Sequence, residues 1–67
     1  MTNTEILERK IEEKGIKIDF LAANLGVPVS DLLLKIRGEE EFLVSELWIV
    51  SKMLELEADE VEKIFLI

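Results

Sequence analysis

The chain has 67 residues and a formal net charge of -7, from 15 acidic and 8 basic side chains, and it contains no cysteine or histidine. This composition excludes disulfides, zinc sites built from cysteine and histidine, and acid–base catalysis by histidine. The excess of acidic side chains disfavours binding to nucleic acids and to anionic membranes, since both depend on lysine and arginine. We expect one domain, residues 1–67, with one core.

Apolar residues at helical spacing predict five helices and no strand. The first helix is expected to have Thr4 as its cap and to end at Gly15, after a basic last turn. The second is expected to begin near Asp19 and to end at Gly26. Gly15 follows Lys14 and Gly26 follows Leu25, and glycine is the residue that best tolerates the left-handed conformation at the end of a helix.

The second half of the chain predicts three further helices. Ser30 or Asp31 is expected to cap the third helix, which ends at Gly38. An acidic turn, residues 39–41, separates it from a fourth helix that begins at a cap on Ser45. The fifth begins near Ala58. The periodicity of these helices predicts a core of Leu7, Ile11, Leu21, Ala22, Leu25, Leu32, Ile36, Phe42, Leu47, Val50, Leu54, Val61 and Ile64, with Phe20 at its edge and Met53 within it.

Hydrophobic residues make up 49% of the chain, which is more than a bundle of this size can bury. We therefore expect large apolar side chains at the surface, where they would mark an interaction site. No apolar run approaches the roughly 20 residues that a membrane-spanning helix needs. The N-terminus has no basic region leading into an apolar one, so we expect no signal peptide and a cytoplasmic location.

An ordered set of residues runs along most of the chain. Its first part is Leu21-Ala22, Leu25-Gly26-Val27, Leu32, Ile36 and Gly38, and its second part is Phe42, Ser45-Glu46-Leu47 and Ile64-Phe65. The set resembles the helix-turn-helix proteins of the phage repressor and Cro family. This resemblance implies an all-α, compact five-helix bundle of the lambda repressor-like helix-turn-helix type. It also implies sequence-specific DNA binding by a transcriptional regulator.

The positions that would read DNA by this resemblance do not carry the expected chemistry. They are Pro28, Val29, Asp31, Leu33 and Leu34, with Lys35 and Arg37 as the basic residues that remain in this helix. Reading base edges and phosphates needs hydrogen-bonding and cationic side chains, whereas leucine and valine can contact only a thymine methyl group. DNA binding through these seven positions is therefore the alternative function, and we expect nucleic acid not to be a partner.

The favoured hypothesis is a protein-interaction module on this scaffold. Its apolar patch is predicted to consist of Val29, Leu33, Leu34, Leu43, Trp48 and Ile49. Leu32 and Ile36 define the inward side of the third helix, so the leucines between them point at least partly outward. The alternatives are that Leu33 and Leu34 are both core residues, that Trp48 is a half-buried cap over the core, and that Leu43 packs against the bundle. Loss of the reading residues together, with the bundle positions kept, is typical of an engineered scaffold.

The partner predicted for this patch is another protein or a second copy of the chain. We expect no enzymatic activity, because the sequence contains no pairing of nucleophile and base and no phosphate-binding loop. Its acidic clusters, Glu12-Glu13 and residues 39–41, are predicted to be solvated. No catalytic residue, metal ligand or cofactor is therefore predicted.

Overall fold

A computed structural model describes residues 2–66, and these contain five α-helices and no β-strand. The helices are α1 (Thr4–Lys14), α2 (Ile18–Leu25), α3 (Val29–Ile36), α4 (Val44–Met53) and α5 (Ala58–Phe65). The predicted all-α architecture of five helices is confirmed. No helix in this part of the chain is long and apolar enough to cross a membrane.

The helices pack around one centre rather than in a row. α2 packs against α3 and α4, and α1 packs against α3 and α5. The backbone N–H of Asn3 donates to the carbonyl of Ile64, which attaches the start of the chain to α5. The Cα radius of gyration is 10.5 Å, close to the roughly 11 Å expected for a compact chain of this length. Both ends of the sequence therefore contribute to the same globule.

The core agrees closely with the predicted set. Of the residues predicted within the core, all are buried except Leu25, Phe42 and Met53, which are half-buried and pack against it. Phe65 was not in the predicted core but is buried, and its ring meets that of Phe42 edge-on at a centroid distance of 5.5 Å. Phe20, predicted at the edge of the core, is instead 60% exposed, because only Ile18, Leu21, Ala22 and Leu25 of α2 face inward.

Three of the predicted helix caps, those of α1, α3 and α4, were wrong by one to three residues. The cap of α1 is Asn3, whose Oδ1 accepts a hydrogen bond of 3.2 Å from the N–H of Ile6, so Thr4 is the first residue of the helix. Both asparagine and threonine can cap a helix, with asparagine the more favoured of the two, and the sequence places them side by side. At α3 the preceding residue is Pro28, which leaves Ser30 and Asp31 inside the helix without a capping role. The ring of proline already holds φ near the helical value.

The start of α4 also differs from the prediction. α4 begins at Val44, after Leu43, so Ser45 lies in its first turn and does not cap it. Instead, the carboxylate of Glu46 caps the start of α4 by accepting a hydrogen bond of 2.8 Å from the N–H of Leu43. The ends of α1 and α2 and the starts of α2 and α5 agree with the prediction. α3 ends at Ile36, two residues before Gly38.

Candidate protein-interaction surface

The six residues of the predicted patch differ in exposure. Leu43 and Trp48 are well exposed, at 62% and 58%, and Val29 and Ile49 are exposed to a lesser degree. Leu33 and Leu34 are half-buried on α3. Seven of the described residues are large, apolar and exposed, and four of these seven belong to the predicted patch. The other three are Phe20, Val44 and Leu66.

Trp48 lies on the side of α4 that faces α5. One apolar groove there is lined by Trp48, Ser51, Lys52, Leu56, Ala58 and Val61, and a second by Trp48, Ala58, Val61 and Glu62. Ser51 is buried and donates its hydroxyl to the carbonyl of Leu47 at 2.6 Å, so it leaves the groove without an unsatisfied polar group. The exposed indole therefore stands at the edge of an apolar surface shared by two helices.

Val44 extends this surface toward the start of α4. It precedes Trp48 by four residues, which places both side chains on one face of the helix, and it is 69% exposed. A further groove brings Val44 together with Phe42, Leu47, Phe65 and Leu66, with Thr2 and Glu41 at its rim. Val44 and Leu66 were not among the residues predicted for the patch. For Val44, its four-residue spacing from Trp48 was the available signal. We call Val44, Trp48, Ala58, Val61 and Leu66 the α4–α5 face.

Ile49 and Leu33 of the predicted patch lie in other directions than Trp48. Ile49 follows Trp48 directly, so the two side chains diverge by about 100° around α4. Leu33 lines a groove with Glu8, Ile11, Glu12, Ile18 and Ile36, on the side of α3 that faces α1 and α2. None of these four grooves brings two of the six predicted residues together. The exposed apolar side chains are therefore spread over more than one face.

The basic residues of α3 are not equivalent. Lys35 donates a hydrogen bond from Nζ to Oε1 of Glu46 on α4, and only 12% of the lysine side chain and 8% of the glutamate side chain are exposed. Arg37 is exposed at the end of α3, and Pro28 and Asp31 are exposed at its start. Lys35, one of the two basic side chains that the DNA-binding alternative retains, is therefore largely buried and paired with a carboxylate.

Glu46 is ionised in this setting. Burial by itself would raise the pKa of its carboxyl group, but hydrogen bonds from Lys35 and from the N–H of Leu43, with the positive charge of Lys35, outweigh that effect and lower the pKa. The same carboxylate thus caps α4 and joins it to α3. No buried polar atom among the described side chains lacks a hydrogen-bond partner.

Basic side chains of α1 also turn toward carboxylates. Lys10 pairs with Glu60 of α5 and with Glu13, and Lys14 pairs with Glu55 at 3.0 Å. The hydrogen bond and charge of Glu60 raise the pKa of Lys10. Hydrogen bonds from the Glu57 N–H and from Lys10 lower the pKa of Glu60. These contacts fasten α1 to the C-terminal part of the bundle and withdraw positive charge from solution.

Residues 2–66 contain no group of three or more acidic, histidine or cysteine side chains that could hold a metal ion. Comparison of the chain with protein-family models, with curated proteins and with solved structures finds no match. The resemblance to phage repressors therefore depends on the residues of this chain alone.

Proposed function

We infer that the protein is a protein-interaction domain and that exposed apolar side chains of α3 and α4 bind its partner. The observation that carries this proposal is Trp48, which is 58% exposed beside an apolar groove in a chain with only one tryptophan. Tryptophan is enriched among the residues that dominate binding energy, because its ring covers a large area with few rotatable bonds. Exposed Val44, four residues before Trp48, adds further apolar area on the same face of α4.

A helix-turn-helix arrangement of the lambda repressor-like type is part of the proposal. α2 and α3 pack against each other and are joined by three residues, Gly26 to Pro28, which is the length and composition typical of that motif. The scaffold would then present α3 outward, as a DNA-binding member does. The residues on it are suited to a protein rather than to a nucleic acid.

DNA binding is the competing function, and the ion pair of Lys35 argues against it. A lysine whose ammonium group is hydrogen-bonded to a buried carboxylate must break that contact before it can meet a phosphate. The net charge of -7 adds a repulsive field to this local cost.

Two experiments test the proposal together. Light scattering over a wide range of protein concentration measures self-association, and selection from a displayed random-peptide library measures binding to other chains. A concentration-dependent dimer, or enriched peptides, that Trp48→Ala weakens would support the proposal. A monomer at all concentrations that enriches no peptide would contradict it.

A further inference from the structure

The apolar groove between α1, α2 and α3 has an acidic wall. Ile11, Ile18, Leu33 and Ile36 form its apolar part, and Glu8 and Glu12 of α1 line it as well. Its volume is ≈ 270 Å³, just under the range of about 300–1,000 Å³ that is usual for small-molecule sites. We call these six residues the α1–α3 groove. Its size suits a single side chain of a partner better than a whole small molecule.

The two carboxylates of the groove have no ion-pair partner among the described residues. Glu8 and Glu12 are exposed and one helical turn apart, so each repels the other. The neighbouring bases point elsewhere, since Arg9 pairs with Glu5 at 3.5 Å and Lys10 pairs with Glu13 and Glu60. A cation arriving from outside would therefore relieve a repulsion that the protein itself leaves uncompensated.

We propose that the α1–α3 groove binds a basic protein segment, which inserts an aliphatic side chain between Leu33 and Ile11 and places lysine or arginine against Glu8 and Glu12. Charge complementarity selects this occupant. A second copy of the chain carries the same net charge of -7, and the phosphates of nucleic acid or of an anionic membrane would meet two carboxylates. The inference rests on the proposed function in that the partner is a protein. It adds a second surface and the chemistry of what binds there.

The test uses a fluorescently labelled amphipathic peptide with leucines at helical spacing and lysines at the other positions. Fluorescence anisotropy at constant ionic strength should show saturable one-to-one binding to the protein. Glu8→Lys/Glu12→Lys should weaken it by at least about tenfold, because attraction becomes repulsion at the contact. Glu39→Lys/Glu40→Lys is the matched control, since it changes the net charge equally in the exposed turn between α3 and α4, and it should have a much smaller effect.

Two further variants distinguish binding in the groove from general attraction between a basic peptide and an acidic protein. Glu8→Gln/Glu12→Gln removes the charges with little change of shape and should also weaken binding, even if the lysine variant fails to fold. A peptide with serine in place of leucine should bind more weakly than the original, because it cannot fill the apolar floor.

Three results would overturn the proposal. The first is absence of binding to the unmodified protein, and the second is equal weakening by the two charge-reversal variants. The third is binding that is lost in Trp48→Ala but kept in both Glu8/Glu12 variants. That third result would leave the proposed binding through Trp48 and the α4–α5 face intact.

Discussion

Lys35 of α3 donates a hydrogen bond to Glu46 of α4, and the same carboxylate oxygen accepts the N–H of Leu43 at the start of α4. One largely buried carboxylate thus joins two helices and caps one of them. This ion pair therefore fixes α4, which carries Trp48, relative to α3.

Removing one partner of this pair should be costly. Lys35→Met leaves the carboxylate of Glu46 buried with only the Leu43 N–H, and we expect a loss of about 3–5 kcal/mol in the free energy of unfolding. Urea denaturation measures it. Lys63→Met is the control, because Lys63 is exposed and has no ion pair among the described residues, and it should change stability by less than about 0.5 kcal/mol. Equal effects of the two substitutions would show that the pair contributes little.

The pair also predicts an acid-dependent loss of stability. The pKa of Glu46 is lower in the folded protein than its ordinary value, so this group binds its proton more readily after unfolding. Its contribution to stability is therefore complete above the ordinary glutamate pKa of about 4.3 and is lost as the pH falls through the lower folded value. In urea denaturation at a series of pH values, Glu46→Gln should flatten the acid limb of stability. Glu40→Gln, in the exposed turn, should leave that limb as in the unmodified protein.

The turn after α3 depends on Gly38. Its φ is +80°, and a methyl group added there would lie 3.1 Å from Cγ2 of Thr4. We expect Gly38→Ala to lower the free energy of unfolding by more than about 1 kcal/mol, through backbone strain and this close contact. Gly15→Ala isolates the backbone effect, because φ is +67° there but no atom lies within 4 Å of the added carbon. If thermal unfolding shows the same loss for both, the contact with Thr4 has no energetic role.

Duplex DNA should bind negligibly at physiological salt. Acidic side chains outnumber basic ones by 15 to 8, and Lys35 is engaged with Glu46. Fluorescence anisotropy with mixed duplexes at low and moderate salt measures this binding. Sequence-dependent binding tighter than micromolar would instead favour the regulator that the family resemblance implies.

The helices and core could be predicted from the sequence because their signals are local. Periodic apolar residues such as Leu7 and Ile11 of α1 face inward wherever the helix packs, and a glycine after the last turn ends it. Cap residues were less predictable, since Asn3 and Thr4 are chemically similar neighbours and the capping carboxylate of Glu46 acts from inside the helix. A long-range contact such as that of Phe42 with Phe65 depends on how the connection between α3 and α4 packs against α5.

The candidate surface could be predicted only in part. Exposure of Leu43, Trp48 and Ile49 agrees with the unusual apolar content of α4. Helical periodicity predicts that Trp48 and Ile49 diverge around α4. It does not predict which of them lies beside Ala58 and Val61 of α5, because that depends on how the helices pack. For the same reason the sequence did not predict that Lys35 meets Glu46, or that Glu8 and Glu12 share a groove with Leu33.

Substitutions at Leu33 and Leu34 should separate folding from binding less cleanly than those at Trp48. Both leucines are half-buried, so Leu33→Glu and Leu34→Glu should lower the melting temperature as well as association. Their cost should be smaller than that of Leu54→Ala, since Leu54 is fully buried and truncating a core leucine costs about 2–5 kcal/mol. The melting temperature and the mass in solution are measured for the three variants. A lower melting temperature for Leu33→Glu than for Leu54→Ala would contradict this order.

The most direct test of the proposed function is the effect of Trp48→Ala on the dissociation constant, for a library-selected peptide or for the dimer. The indole is 58% exposed and its remainder lines the groove with Ala58 and Val61, so the substitution should lower the free energy of unfolding by about 1–2 kcal/mol and leave the protein folded. It should weaken binding by about tenfold or more if Trp48 is a dominant contact. An unchanged dissociation constant in a folded Trp48→Ala protein would contradict the assignment of binding to this surface.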